Sequence, residues 1–176
     1  MAKTVSDRIR WGVDAMDIQP SDQVLEIGCG HGVAVALVCV RLDDGRIIAL
    51  DRSAKMIAAA QTRNARWVAT VKAAFFQAAF PDLDLGDRRF SKIVAIHVPL
   101  FRGDRAAAIA TLRRLLEPGG TVSLIGQPLR DDDVEPWVRS VTEHLGAGGF
   151  DVREPLFSDH RPVRAACVSA TMRPVG

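Results

Sequence analysis

Val24-Leu25-Glu26-Ile27-Gly28-Cys29-Gly30-His31-Gly32 is the stretch on which the reading of this chain turns. An apolar run reaches an acid, glycine recurs at three alternate positions, and an Ala/Val-rich segment follows. The pattern predicts a buried strand ending at Glu26, a sharp turn, and a helix beginning near Gly32. Glycine at 28 and 30 permits positive φ and lets a ligand approach bare backbone. The helix N-terminus beyond it presents unpaired N–H groups to a polar or anionic ligand end. The stretch reads as a nucleotide-type binding loop; the alternative is a tight strand-to-helix turn that binds nothing.

Spacing narrows the ligand. Glu26-x-Gly28-x-Gly30-x-Gly32 resembles the first motif of class I S-adenosylmethionine (SAM)-dependent methyltransferases, an acid-x-Gly-x-Gly-x-Gly run. A dinucleotide loop reads Gly-x-Gly-x-x-Gly and would need glycine where this chain has Val33. SAM is therefore favoured over NAD, and a nicotinamide-dependent oxidoreductase fits the expected fold but not the loop.

Composition sets the outer bounds. The 176 residues are 48% hydrophobic and 25% charged, as expected of one globular domain spanning 1–176. A net charge of +2 with scattered basic residues and no tyrosine leaves no footprint for nucleic acid. Cys29, Cys39 and Cys167 are too few and too poorly spaced for a disulfide framework or a zinc site, so no metal is expected. Free thiols fit a reducing interior. The first residues lack the apolar core of a signal peptide, and Val33 to Val40 is far shorter than the roughly 20 residues of a membrane span. A cytoplasmic location, no membrane partner, and a monomer or homodimer are the expectations.

The remaining chain alternates strands and helices. Val5, Ile9, Val13 and Met16 have helical spacing within residues 1–19. After the glycine loop, His31 to Leu42 is apolar nearly all round, which predicts a buried helix. Arg46-Ile47-Ile48-Ala49-Leu50-Asp51 is apolar without alternation, as in a parallel sheet covered on both faces. Asp51 at its tip is an acceptor-only group suited to both hydroxyls of a ribose; otherwise it is a charge near the helix that Ser53 opens. That helix is expected to run to about Thr70. A third strand spans Ala73 to Phe80, a fourth Phe90 to His97, a helix Asp104 to Leu116, and a fifth strand follows Pro118-Gly119-Gly120. Val134 to Leu145 is a helix, and Phe150 to Phe157 and Val163 to Met172 are closing strands. The order predicts an α/β doubly wound, mostly parallel seven-stranded sheet, helices on both faces, with an antiparallel C-terminal edge.

The resemblance covers roughly residues 20–172 and rests on several motifs in order. They are the glycine loop, Asp51 at strand two, the Phe90–His97 strand, and the Leu116-x-Pro118-Gly119-Gly120 turn. It implies the class I methyltransferase Rossmann-like fold and SAM as cofactor. It implies that Gly28, Gly30 and Gly32 pass beneath methionine and ribose, with Glu26 anchoring the loop and Cys29 among the cofactor-binding residues. Asp51 would hold the ribose, and Arg52 and Ala79 would flank the adenine. His97, with Val98, Pro99 and Leu100, would line the reaction side, as cofactor contact and as candidate general base. The segment 1–19 would lie over the pocket, with Arg10 and Trp11 near substrate; the alternative is a helix that simply packs against the domain. Pro99 matches one position of four in the Asn-Pro-Pro-Tyr box of amino-group methyltransferases, too little to imply amide methylation. The chain departs from the family at Gln77-Ala78-Ala79, where many members carry Gly-Asp-Ala with an adenine-binding carboxylate. The expected activity is methyl transfer to a small molecule. The competing reading is a SAM-binding domain without catalysis, serving as a regulator or partner subunit.

Overall fold

The computed structural model describes residues 7–173. All its strands join one sheet in the order β3-β2-β1-β4-β5-β8-β6, with the two-residue β7 paired to β8. Five strands are parallel: β1 (Gln23–Ile27), β2 (Arg46–Asp51), β3 (Ala73–Gln77), β4 (Phe90–Ile96) and β5 (Leu116–Gly126). Against β5 runs β8 (Ala166–Met172), which also pairs with β6 (Phe150–Val152) and β7 (Leu156–Phe157). The expected seven strands are thus eight. The segment 150–157 does not run straight but splits into two short pieces, both paired to β8.

The central strands are buried because each face receives helices. One face packs α1 (Asp7–Ala15), α2 (Val33–Arg41) and α3 (Ala54–Arg63), through Val13, Val35, Val38, Ile57 and Ala60. The other packs α5 (Arg105–Leu115) and α6 (Val134–Ala147), through Leu112, Leu115, Val138 and Leu145. Crossovers run outward in opposite directions from β1 and β4, and such a switch point opens a crevice beyond the strand C-termini.

Two helical expectations change. The helix expected from Ser53 to Thr70 breaks at Asn64, and α4 (Ala65–Ala69) follows. Asn64 is fully buried, and its Nδ2 donates to the carbonyls of Gly32 and Ala60, both at 2.9 Å. A short amide side chain that bonds nearby carbonyls competes with the helical ladder. Further on, α5 ends at Leu115, ahead of Pro118, and Leu116 already pairs with Phe90. Pro118-Gly119-Gly120 therefore lies in a bulge of β5, with Gly119 at φ 78°, rather than in a turn before the strand. Arg89 donates to the Arg114 carbonyl (2.9 Å) and the Leu116 carbonyl (3.3 Å), occupying acceptors that the helix end leaves open.

The link from β3 to β4, residues 78–89, contains no helix. Leu83 alone within it is buried, and beside it Ile48 and Ala74 stay partly exposed and Phe76 is 42% exposed. Among the described residues no helix is long and apolar enough to cross a membrane. Val5 lies outside those residues; Ile9, Val13 and Met16 line the packed side of the first segment.

Candidate active site

The crevice is built from the tips of β1, β2 and β4. Gly28, Gly30 and Gly32 all have positive φ, at 74°, 51° and 68°. Their environments differ, and the difference reveals the shape of the loop. A Cβ on Gly28 would meet Val98 Cγ2 at 2.4 Å, and one on Gly32 would meet Asn64 Nδ2 at 2.6 Å. A Cβ on Gly30 would meet nothing within 4 Å. Gly28 and Gly32 are glycines for packing, whereas Gly30 faces an open cradle.

The main chain of the loop is pinned from several sides. Cys29 N–H donates to the Leu50 carbonyl at 2.8 Å, and Gly32 N–H to that of Cys29 at 2.9 Å. Arg63 Nε donates to the His31 carbonyl at 3.0 Å, and Asn64 to that of Gly32. Asp51 Oδ2 accepts from Gly30 N–H and Oδ1 from Ser53 N–H, each at 2.9 Å. One carboxylate thus joins the loop to the start of α3, where Ser53 also caps by accepting from Met56 N–H at 3.4 Å. Each Asp51 oxygen keeps a second lone pair for a further donor.

Glu26 is buried beneath this loop, and its Oε2 has no hydrogen-bond partner. Burial, with Asp51 nearby, pushes its carboxyl up to about 8. The side chain that ties the loop down is therefore Asp51, and Glu26 remains an uncommitted acid. Cys29 is held as an inert thiol, pushed up to about 12 by burial and by the two neighbouring carboxylates.

His97 follows β4 at φ 57°, and its N–H donates to the Ile125 carbonyl at 2.8 Å. This left-handed residue turns the chain so that Val98 lies over Gly28. Its imidazole is held below the usual histidine range by desolvation, with Arg8 adding to the effect. Arg8 Nη1 also donates to Gln127 Oε1 at 3.3 Å, and Gln127 Nε2 donates to the Val163 carbonyl at 2.7 Å. The first helix thus contributes Arg8 to this mouth. Trp11, in contrast, packs against the core, partly buried, and Arg10 is exposed.

At the β3 exit, Ala78 N–H donates to the Asp51 carbonyl at 3.0 Å and Gln77 Nε2 to the Arg52 carbonyl at 3.3 Å. Arg52 and Ala79 are both exposed at this corner, whereas Phe80 packs back against the core. Arg8 and Asn64 escaped the sequence reading. A helical arginine and an asparagine inside a helix-like run carry no local signal of what they reach.

An uncommitted buried acid, an open glycine cradle and a carboxylate with spare acceptors suit one ligand that combines a cation with vicinal hydroxyls. Residues 24–120 match the family model described as a methyltransferase domain. The chain belongs to the class I SAM-dependent methyltransferase family. The resemblance noted above extends along this methyltransferase. An uncharacterized methyltransferase of Bacillus subtilis (strain 168), YdaC, is 24% identical over 166 residues, covering 92% of this chain and 89% of that protein. A SAM-dependent methyltransferase from Aquifex aeolicus shares the fold with a TM-score of 0.79 at 15% identity, covering 94% and 89% of the two chains. The magnesium protoporphyrin IX methyltransferase of Synechocystis, solved with bound SAM, superposes with a TM-score of 0.68 at 18% identity, covering 95% and 77%. This methyltransferase is an enzyme whose cofactor is SAM, and that cofactor supplies an activated methyl group to a nucleophile.

Proposed function

We propose that this methyltransferase acts on a small molecule bound at the mouth formed by His97, Val98, Arg8 and Gln127. The observation that carries the reading is that Arg8, bonded to Gln127, lies close enough to His97 for its charge to lower the imidazole pKa. These three polar side chains come together beyond the tips of β4 and β5, beside the glycine loop that Val98 covers. A small acceptor also suits the scattered basic residues, and the Synechocystis relative in fold acts on a porphyrin.

In this reading Gly28, Cys29, Gly30 and Gly32 pass beneath the methionine and ribose. Glu26 faces the ammonium, which would replace its proton. Asp51 accepts from the ribose hydroxyls while keeping Gly30 and Ser53 in place. Arg52 and Ala79 border the adenine, whose recognition rests on backbone because Ala78 has no carboxylate. His97, held neutral by burial and by Arg8, accepts the acceptor's proton at a ring nitrogen. Orientation of the nucleophile by the mouth does the rest.

Two measurements test this. Titration calorimetry should show SAM binding to the wild-type chain, and Asp51→Ala should weaken it tenfold or more, since hydrogen bonds to charge are worth about 1.5–3 kcal/mol. Formation of S-adenosylhomocysteine should follow addition of the low-molecular-weight fraction of a cell extract. Turnover only with the RNA or protein fraction would overturn the small-molecule reading.

A further inference from the structure

A second concavity lies at the opposite end of the sheet from the glycine loop. It is a cavity of about 340 Å³, within the range of small-molecule sites, over β1, β2 and β3. Its location follows from the topology. The β3-to-β4 link carries no helix, so the sheet face that would otherwise be covered there is open. The floor is apolar, formed by Ile48, Ala74 and Phe76, with Val71 at the side, 66% exposed. Three arginines line it, Arg46, Arg88 and Arg89, and no carboxylate does. Arg89 is fixed through its bonds to the Arg114 and Leu116 carbonyls. Arg46 and Arg88 are exposed and join no ion pair among the described residues.

We infer that this groove binds a small anionic amphiphile, an aliphatic or aryl chain ending in a carboxylate. The apolar floor takes the chain, and the arginine rim takes the head. Guanidinium groups hold a carboxylate through paired, charge-assisted hydrogen bonds. A concave apolar surface with a few convergent charged groups is the usual form of such a site, and three cations without an acid select the sign of the head. The floor reaches up β3 to Phe76, next to Gln77, but the arginine rim stands far from the cofactor crevice. Arg46 and Asp51 stand at opposite ends of β2, about 17 Å apart at the usual rise per residue. The inference does not rest on the proposed acceptor.

The test is calorimetric titration of the full chain with dodecanoate, alongside dodecyltrimethylammonium and dodecyl maltoside below their micellar concentrations. One dodecanoate should bind saturably, at least tenfold more tightly than either the cationic or the neutral analogue. The double variant Arg46→Glu/Arg88→Glu should lose tenfold or more of that affinity, and Ala74→Trp, which fills the floor, should lose it as well. SAM titration of the same variants should give unchanged affinity, showing that they are folded. Equal affinity for the three head groups, or affinity undiminished in both variants, would overturn the inference. So would concentration-dependent dimerisation of the wild type abolished by Phe76→Glu, which would make this face a self-association surface.

Discussion

Glu26 and the three loop glycines carry the most specific consequences at the scale of single residues. The unfolded chain loses the Glu26 proton near the ordinary value of 4.5, whereas the folded chain keeps it until about 8. Across that window the folded state binds more protons, so Glu26 makes stability fall as pH rises from 4.5 to 8, with no further change above. Glu26→Gln, which keeps the neutral shape, should remove this decline, read from urea unfolding at pH 5 and pH 8.5. The glycines predict a separation of stability from binding. Both Gly28→Ala and Gly30→Ala place a side chain at positive φ, a strain of about 1–2 kcal/mol. Gly28→Ala adds the collision with Val98, so it should be the less stable by a further 1–3 kcal/mol or so. Gly30→Ala has open space around it, and it should lose more SAM affinity than stability. Denaturation and SAM titration of the two variants check the ordering.

At the scale of elements, the α3–α4 break is part of the glycine loop's support rather than an accident of propensity. Asn64 joins the end of α3 to the Gly32 carbonyl, immediately before α2. Asn64→Ala leaves that buried carbonyl without its donor and should cost about 1–3 kcal/mol. It should also weaken SAM binding, because in the proposed reading the loop that Asn64 holds passes beneath the cofactor. Asn64→Asp, similar in shape but without the amide donor, should reproduce the loss of affinity in the same titration. Binding retained by both variants would assign Asn64 to helix geometry alone.

Across the whole molecule, the first helix is linked to the residues beyond two strand tips through Arg8. Arg8 on α1 reaches Gln127 beyond β5 and lowers the pKa of His97 beyond β4. Removing the charge in Arg8→Ala should raise the His97 pKa while leaving it below the usual histidine range, since desolvation is the larger cause. A pH titration of the His97 ring resonances by NMR gives the answer directly. An unchanged value would place Arg8 outside the field of the imidazole.

The amino-acid sequence by itself determined the alternation of strands and helices, the glycine-rich turn after the first strand, and the family. These features are local: apolar runs set the buried strands, and glycine spacing sets the turn. It was less informative where a residue's role depends on what it meets across the fold. An asparagine in a helix-like run looked like part of one helix, because its target, the Gly32 carbonyl, lies 32 positions away. The Pro118-Gly119-Gly120 segment read as a turn, because the bulge that holds it depends on register with β4. Glu26 read as an anchor, because sequence cannot show that Asp51 takes the loop N–H and leaves Glu26 Oε2 without a partner. Tertiary structure alone decided these matters, since burial, register and charge pairing are properties of segments brought together by folding.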